Sequence, residues 1–564
     1  MSMLTRLILL LVLFAAPAVA RDIPPTAPVI ARNGMVVAQE ARAARIGTDI
    51  LKAGGNAVDA AVATGFALAV TYPRAGNLGG GGFMLIHLAR GNRNIAIDYR
   101  ETAPAATTRD IFLDDKGNAD PAKSRDSGLA VGVPGTVAGL VLAHQRYGSK
   151  RFTLAQLIAP AIAIARNGIA VDAALAETLP DAQSRIGRWP SSTRIFLKDG
   201  KPYGAGDTLV QSDLAASLEA IARGGERAFY SGPIAEKIVA AVRGAGGLMT
   251  IDDLRNYKAI ERAPVSGRYR GDEILSMPPP SSGGIHLIEM LNILEGYRLR
   301  GMAEADSLHL LIEAMKRAYA DRAVFLGDPA FVQVPVKGLT SKRYAAQLRA
   351  GIDLQRATPS AEIRAGNPAA HEGTNTTHYS IVDRHGNAVA NTYTLNLNYG
   401  LGLVAEGTGI LLNNELDDFA AKPGAPNAFG LVGGDANAPG PGKRPLSSMT
   451  PTIVFKKGRP HIVTGSPGGS RIITTVLQVI VNSVDRRMTI ADAVAAPRLH
   501  HQWLPDEVWA EPGFSPAILQ ALRARGHNVV IVPPMTSANS IMVRRDGLIG
   551  AADPRTRAAG AAGY

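Results

Sequence analysis

The sequence predicts an α/β protein, with helices through the first two thirds and paired strands in the last. Three observations predict it. The N-terminal region is rich in alanine, with apolar residues at helical spacing and glycine pairs as stops. From Leu154 to Leu348 the chain reads as amphipathic helix with turn-rich breaks. From Thr376 onward the apolar period drops to two, and turn residues separate the alternating runs.

In chain order, the first twenty residues read as a targeting segment. Arg6 precedes the apolar run Leu7 to Phe14, and Ala18-Val19-Ala20 is a small-x-small cleavage site before Arg21. That run is too short to span a bilayer, which takes about 20 residues. The mature chain is expected to be secreted or periplasmic, with no membrane span once the segment is removed. Ala38 to Ala53 reads as a helix stopped by Gly54-Gly55, and a second helix, Ala57 to Val70, leads into the glycine run Gly76 to Gly82. Phe83 to Ala89 follows as a strand. A dinucleotide fingerprint needs strand, glycines, helix in that order. Here the order is helix, glycines, strand, so close backbone packing is the reading of these glycines.

Tyr269 to Met277 reads as a short strand before Pro278-Pro279-Pro280. Residues Thr358 to Asn375 mix Pro, Gly, Asn, His and Glu and read as a solvent-exposed connection. His378 to Asp383 and Ala388 to Leu395 form a hairpin through Arg384-His385-Gly386-Asn387. Thr452 to Phe455 and His461 to Thr464 form another, which runs into Ser466-Pro467-Gly468-Gly469-Ser470 and an apolar helix from Arg471 to about Val484.

Composition removes several function classes. The 564 residues include no cysteine, which excludes disulfides and a thiol nucleophile. Hydrophobic content of 46% is ample for a large core. The net charge of +12 comes from scattered residues, with no basic block interleaved with aromatics, so a solvated basic surface is expected rather than nucleic-acid binding. His500-His501 lacks companions at ligand spacing and no H-E-x-x-H occurs, so neither metal nor cofactor is expected.

The stretch Asn375-Thr376-Thr377-His378-Tyr379-Ser380 carries the chemistry. A threonine inside a chain is a poor nucleophile because no base is fixed beside its hydroxyl. If the preceding peptide bond is cut, its own freed α-amine is within reach of Oγ and can take the proton. An α-amine titrates near pH ~8, close enough to neutrality to serve as a base. Gly468-Gly469 at a helix N-terminus supplies backbone N–H groups suited to a developing oxyanion.

This chain resembles the γ-glutamyltranspeptidases (glutathione hydrolases) of the N-terminal-nucleophile hydrolase superfamily. The resemblance begins near Gly34 with GMVVAQEARAARIGTDILKAGGNAVDAA. It continues through GNLGGGGF, YRETAP, GVPGTVAG and PPPSSGG, and after the Thr pair through YTLN, GILLNNELDDF, RPLSSM, GSPGGSR and a terminal AGY. It implies a four-layer αββα sandwich built by both halves of the chain. It also implies an inactive precursor that cuts itself between Asn375 and Thr376, leaving a large subunit 21–375 and a small subunit 376–564 as one heterodimer. Thr376 would be the nucleophile, Thr394 would hold its Oγ, and Gly468 and Gly469 would form the oxyanion hole. Arg100, with Ser447 and Ser448, would bind the α-carboxylate of the γ-glutamyl group, and Asn396, Glu415 and Asp418 its α-ammonium. Substrates would be glutathione and other γ-glutamyl compounds, with water, amino acids or dipeptides as acceptors. Pro423 to Gly434 resembles the family's lid, with Phe429 where several bacterial members carry a Tyr that latches to Asn396. Two other readings are a glutaryl-type β-lactam acylase, which has no α-ammonium to bind, and an uncleaved homologue that only binds γ-glutamyl peptides.

Self-cleavage predicts two bands on a denaturing gel, the smaller of 189 residues (376 to 564) beginning at Thr376. Thr376→Ala should remain one band without turnover. N-terminal sequencing of the smaller band checks this, and any other first residue contradicts it.

Overall fold

The computed structural model describes residues 26–366 and 377–564. The targeting segment 1–20, Asn375 and Thr376 therefore lie outside the described residues. Two seven-stranded sheets occupy the centre. The first runs in the order Gly560–Gly563, Met35–Ala38, Thr377–Val382, Ala388–Thr394, Gly81–Leu88, Arg93–Tyr99, Ile260–Arg262. The second runs Val29–Ala31, Gly547–Ala551, Ser540–Arg544, Arg459–Thr464, Thr452–Lys456, Asp272–Ser276, Val265–Tyr269. Every neighbouring pair in both is antiparallel.

Side-chain alternation turns these sheets into four layers. Met35, Val37, Phe83 and Leu85 of the first sheet meet Leu275, Ile453, Phe455 and Val463 of the second in one apolar seam. Their sequence neighbours Val36, Met84 and Ile86 point the other way, into a core shared with helices Ala41–Lys52, Ala57–Thr71 and Thr136–Tyr147. Ile274, Val454 and Ile462 likewise leave the seam and pack on helices Gly283–Glu295, Glu304–Phe325 and Arg471–Val484. The result is the αββα sandwich that the resemblance implies.

The second helix starts at Ala57 as read, whereas the first starts at Ala41 rather than Ala38, because Ala38 ends a strand. The Glu40 side chain accepts from the amides of Arg42 and Ala43, and Asn56 with Asp59 closes a capping box. Alternation from His378 onward does not mark a solvent face, because every residue of both hairpin strands is buried. The polar positions satisfy one another instead. His378 Nδ1 lies 2.9 Å from Thr392 Oγ1 and its Nε2 3.0 Å from Ser380 Oγ, which donates to the Asn539 carbonyl.

One expectation is corrected and another refined. Tyr269 to Met277 is not one strand but the second half of a hairpin. Tyr269 pairs with Asp272 across Arg270-Gly271, both at positive φ (51° and 87°) as a tight two-residue turn requires. The described part of the connection from Thr358 is exposed at Pro359, Ala361, Glu362 and Arg364, and it is also anchored to the fold. Ser360 is buried, its amide donates to Asp506 at 2.7 Å, and its carbonyl accepts from Trp503 Nε1 at 2.9 Å. Gly366 donates its amide to Asp321 at 2.7 Å.

Glycine marks the closest approach of helix to sheet. A Cβ at Gly139, in helix Thr136–Tyr147, would overlap the ring of Tyr99, the residue before Arg100. Gly139→Ala should lower stability by ~1–3 kcal/mol through overpacking. Urea unfolding measures it, and an unchanged midpoint would contradict this packing.

Candidate active site

The hairpin brings Thr377, at the start of one strand, opposite Tyr393, the neighbour of Thr394 at the end of the other. Thr377 Oγ1 is buried and has no hydrogen-bond partner among the described residues. Thr394 is buried; its Oγ1 accepts from the Asn396 amide at 2.8 Å and its carbonyl from Asn77 Nδ2 at 2.8 Å. Asn77 also accepts from the Gly80 amide and the Thr136 hydroxyl, so it ties the glycine run to the strand end. The run is glycine because a Cβ at Gly80 would overlap the Thr394 carbonyl. Asn396 sits at φ 74°, a left-handed conformation that asparagine tolerates, and its Nδ2 donates to the Asn414 carbonyl at 2.9 Å. Asn413 crosslinks this block further, donating to the carbonyls of Gly79 and Gly132 at 2.8 Å each.

Gly468 and Gly469 immediately precede the helix Arg471–Val484, at φ 128° and 65°. Their carbonyls accept from Arg471 and Ile472, while neither amide donates a hydrogen bond among the described residues. Two consecutive unspent N–H groups at a helix start suit an oxyanion. Behind them, Ser470 donates to Gln502 Oε1 at 2.7 Å, and His500 Nδ1 lies 2.9 Å from Thr474 Oγ1. Burial pushes the His500 pKa down to about 3, so it is a neutral strut.

Arg100, Glu415 and Asp418 converge in one buried cluster. The Arg100 guanidinium hydrogen-bonds both carboxylates, its Nε donates to the Pro445 carbonyl at 3.0 Å, and all three side chains are fully buried. The sequence reading gave these residues to opposite ends of a zwitterion; the structure pairs them with each other. Glu101, the residue after Arg100 in YRETAP and 3.8 Å from its guanidinium, is a fourth member that the sequence pattern does not mark as one. Neither of its oxygens has a hydrogen-bond partner among the described residues, and burial pushes its pKa up to about 7 although Arg100 pulls it down. Burial also raises Glu415, again against the pull of Arg100.

Ser447 and Ser448 sit beside this cluster on the same loop. Ser447 Oγ accepts from the Met449 amide at 3.1 Å, and Ser448 Oγ accepts from Arg322 Nη2 at 2.5 Å. Arg322, buried in the helix Glu304–Phe325, was not singled out by the sequence reading, because only the fold carries it to Ser448. Phe429 belongs to the segment that resembles the lid. It lines a cavity with Ser470, Arg471, Gln502 and Trp509, and its carbonyl accepts from Gln502 Nε2 at 3.1 Å. Among the described residues His309, Glu313 and His527 bring ligand atoms within 4.8 Å of one another. Those atoms are already engaged. His309 Nδ1 is 2.7 Å from His527 Nε2, Glu313 accepts from Arg317 at 2.6 Å and from the Thr358 amide, and Lys316 stands 3.8 Å from Glu313. Two cations beside the trio disfavour a third.

The γ-glutamyltranspeptidase family model matches residues 43–563. The chain belongs to this family. It is 56% identical over 541 residues to a glutathione hydrolase proenzyme of Escherichia coli (strain K12), covering 95% of this chain and 93% of that one. Its fold matches a cephalosporin acylase from Bacillus halodurans with a TM-score of 0.85 at 29% identity, over 98% of this chain and 99% of the other. It matches the Helicobacter pylori γ-glutamyltranspeptidase with a TM-score of 0.57 at 45% identity, over 61% and 97%. The four-layer sandwich is thus that of the N-terminal-nucleophile hydrolases, as expected.

Glu101 gives a pH signature. A carboxyl whose folded pKa lies above its ordinary value supports the fold fully below that ordinary value, and this support is lost as pH rises towards about 7. Glu101→Gln, which stays neutral, should therefore gain thermal stability relative to wild type at pH 8 compared with pH 5. A melting-temperature difference that is the same at both pH values would contradict the assignment.

Proposed function

We propose that this chain is the precursor of a secreted γ-glutamyltransferase and glutathione hydrolase that matures by cutting itself before Thr376. The observation that carries the substrate assignment is the buried set of Arg100 with Glu415 and Asp418. A zwitterionic amino-acid end can enter such a set by exchange, its carboxylate taking the guanidinium and its ammonium the acids, so that no buried charge loses its partner. In this reading the hydroxyls of Ser447 and Ser448 add to the hold on the carboxylate, and Asn396 joins Glu415 and Asp418 on the ammonium.

The reaction follows from the parts. Thr376 precedes Thr377, whose strand begins opposite Tyr393, the neighbour of Thr394. Thr376 Oγ attacks the γ-carbonyl carbon of the substrate, and the α-amine of Thr376 takes the hydroxyl proton. The oxyanion is held by the amides of Gly468 and Gly469. The C–N bond then breaks, the departing amine receives the proton, and a γ-glutamyl ester remains on Thr376. Water or an amino acid or dipeptide amine attacks this ester and returns Oγ to the hydroxyl form. Phe429 contributes apolar packing, without a hydroxyl, to the lid Pro423 to Gly434.

The likeness to acylases supports the same nucleophile chemistry with a different acyl group. Glu415 and Asp418 favour the γ-glutamyl reading, since a glutaryl group offers them no ammonium. The paired threonines favour an enzyme over an inactive binder. Wild-type protein should therefore hydrolyse a γ-glutamyl-anilide and not its glutaryl counterpart; the opposite preference would overturn this reading. Arg100→Lys keeps a cation beside the acids but loses the two-pronged hold on a carboxylate. It should mature to two bands and lose ~2–5 kcal/mol of transition-state binding, at least about thirtyfold in kcat/KM. Kinetics like wild type would make Arg100 purely structural.

A further inference from the structure

A cavity of about 360 Å³ adjoins the site, touching Asn396 and Gly468. Three arginines, Arg74, Arg471 and Arg555, line it, and no Asp or Glu does. None of Arg100, Glu415, Asp418, Ser447 or Ser448 reaches it, so it lies at the end of the site where the acyl carbon reacts. The three cations are not equivalent. Arg555 is already neutralised from behind by Glu511 at 2.5 Å and Asp553 at 3.2 Å. Arg471 spends its Nε on the Gly468 carbonyl at 3.0 Å, which positions the turn of Gly468. Arg74 has no carboxylate in ion-pair contact among the described residues. Its Nε donates to the Tyr72 hydroxyl at 2.7 Å and its guanidinium stands 4.7 Å from the Tyr72 ring centroid, which orients the group without neutralising it. A second cavity of about 270 Å³ shares Tyr72, Arg74, Arg555 and Thr556 with the first, so Arg74 stands at their junction.

We propose that Arg74 is the residue that selects the amine partner of the reaction, by binding its carboxylate. The proposal rests on the γ-glutamyl-transfer reading above. Transfer of the acyl group to an amine is the chemical reverse of the acylation step, so the departing and the accepting amine occupy one place. That place adjoins the oxyanion amides, and the cavity that touches Gly468 is where the rest of such an amine extends. A peptide with a free C-terminal carboxylate brings an anion into a cavity that holds cations and no acid. An oriented guanidinium at half-buried depth forms charge-assisted hydrogen bonds with it. The acceptor class is therefore short peptides with a free C-terminal carboxylate, ahead of amines that lack one.

The test compares glycylglycine with glycylglycinamide as acceptors for a γ-glutamyl-anilide donor, in wild type, Arg74→Gln and Arg74→Lys. The wild type should favour glycylglycine by about tenfold or more in acceptor KM, the size of one charge-assisted hydrogen bond. Arg74→Gln should lose that preference, and Arg74→Lys should retain most of it, which separates a charge effect from a disturbed fold. A wild type that treats the two acceptors alike, or an Arg74→Gln variant that still discriminates between them, would overturn the role of Arg74 while leaving γ-glutamyl transfer intact. A wild type with no turnover of the donor would overturn both.

Discussion

The rest of the structure depends on the insertion of the strand Thr377–Val382 between Met35–Ala38 and Ala388–Thr394. The first sheet interleaves strands from before and after residue 376, and the second does the same with Val265–Tyr269 and Asp272–Ser276 beside Thr452–Lys456. Neither half of the chain has a complete sheet without the other. A cut before Thr376 would therefore remove one covalent bond and leave the ladder hydrogen bonds and the apolar seam between the sheets in place. Such a cut would be compatible with a stable product, since Thr377 is held in the buried strand.

The same buried frame explains the electrostatics of the site. Arg100 is held among Glu101, Glu415 and Asp418 with no solvent contact, an arrangement in which burial raises the Glu101 and Glu415 pKa values while the guanidinium opposes the rise. Charges kept dry in this way are costly unless every one has a partner. A ligand that brings one positive and one negative group can exchange partners with them, whereas a ligand with a single charge leaves one orphaned. In the proposed function, specificity for an amino-acid end would follow from the cost of leaving a buried charge unpaired. The cavity proposed for the amine partner differs: it is lined by three arginines and no acid, which would suit one anion rather than a zwitterion.

Much of this was legible in the sequence where local rules decide. The Arg471–Val484 helix, the glycine run beside Thr394 and the two later hairpins follow from apolar period, capping and turn residues. The four layers came from the resemblance, because period alone does not say which sheet a strand joins. Arg270-Gly271 was passed over as a turn although it is a two-residue loop with both φ angles positive. The anchoring of Ser360 and Gly366 was not legible, since Asp506, Trp503 and Asp321 are far away in sequence and only the fold brings them near. The same holds for Arg322 on Ser448, and for the direct pairing of Arg100 with Glu415 and Asp418 more than 300 residues later. Residue type suggested which groups recognise a charged ligand. Their mutual contacts needed the structure.

The most direct test of the central claim is to quench the wild-type protein during turnover of a γ-glutamyl donor and locate the acyl group by peptide mass spectrometry. The account predicts one γ-glutamyl ester on the N-terminal threonine of the smaller fragment, Thr376, lost on adding glycylglycine. An acyl group on any other residue, or turnover with no fragment beginning at Thr376, would contradict it.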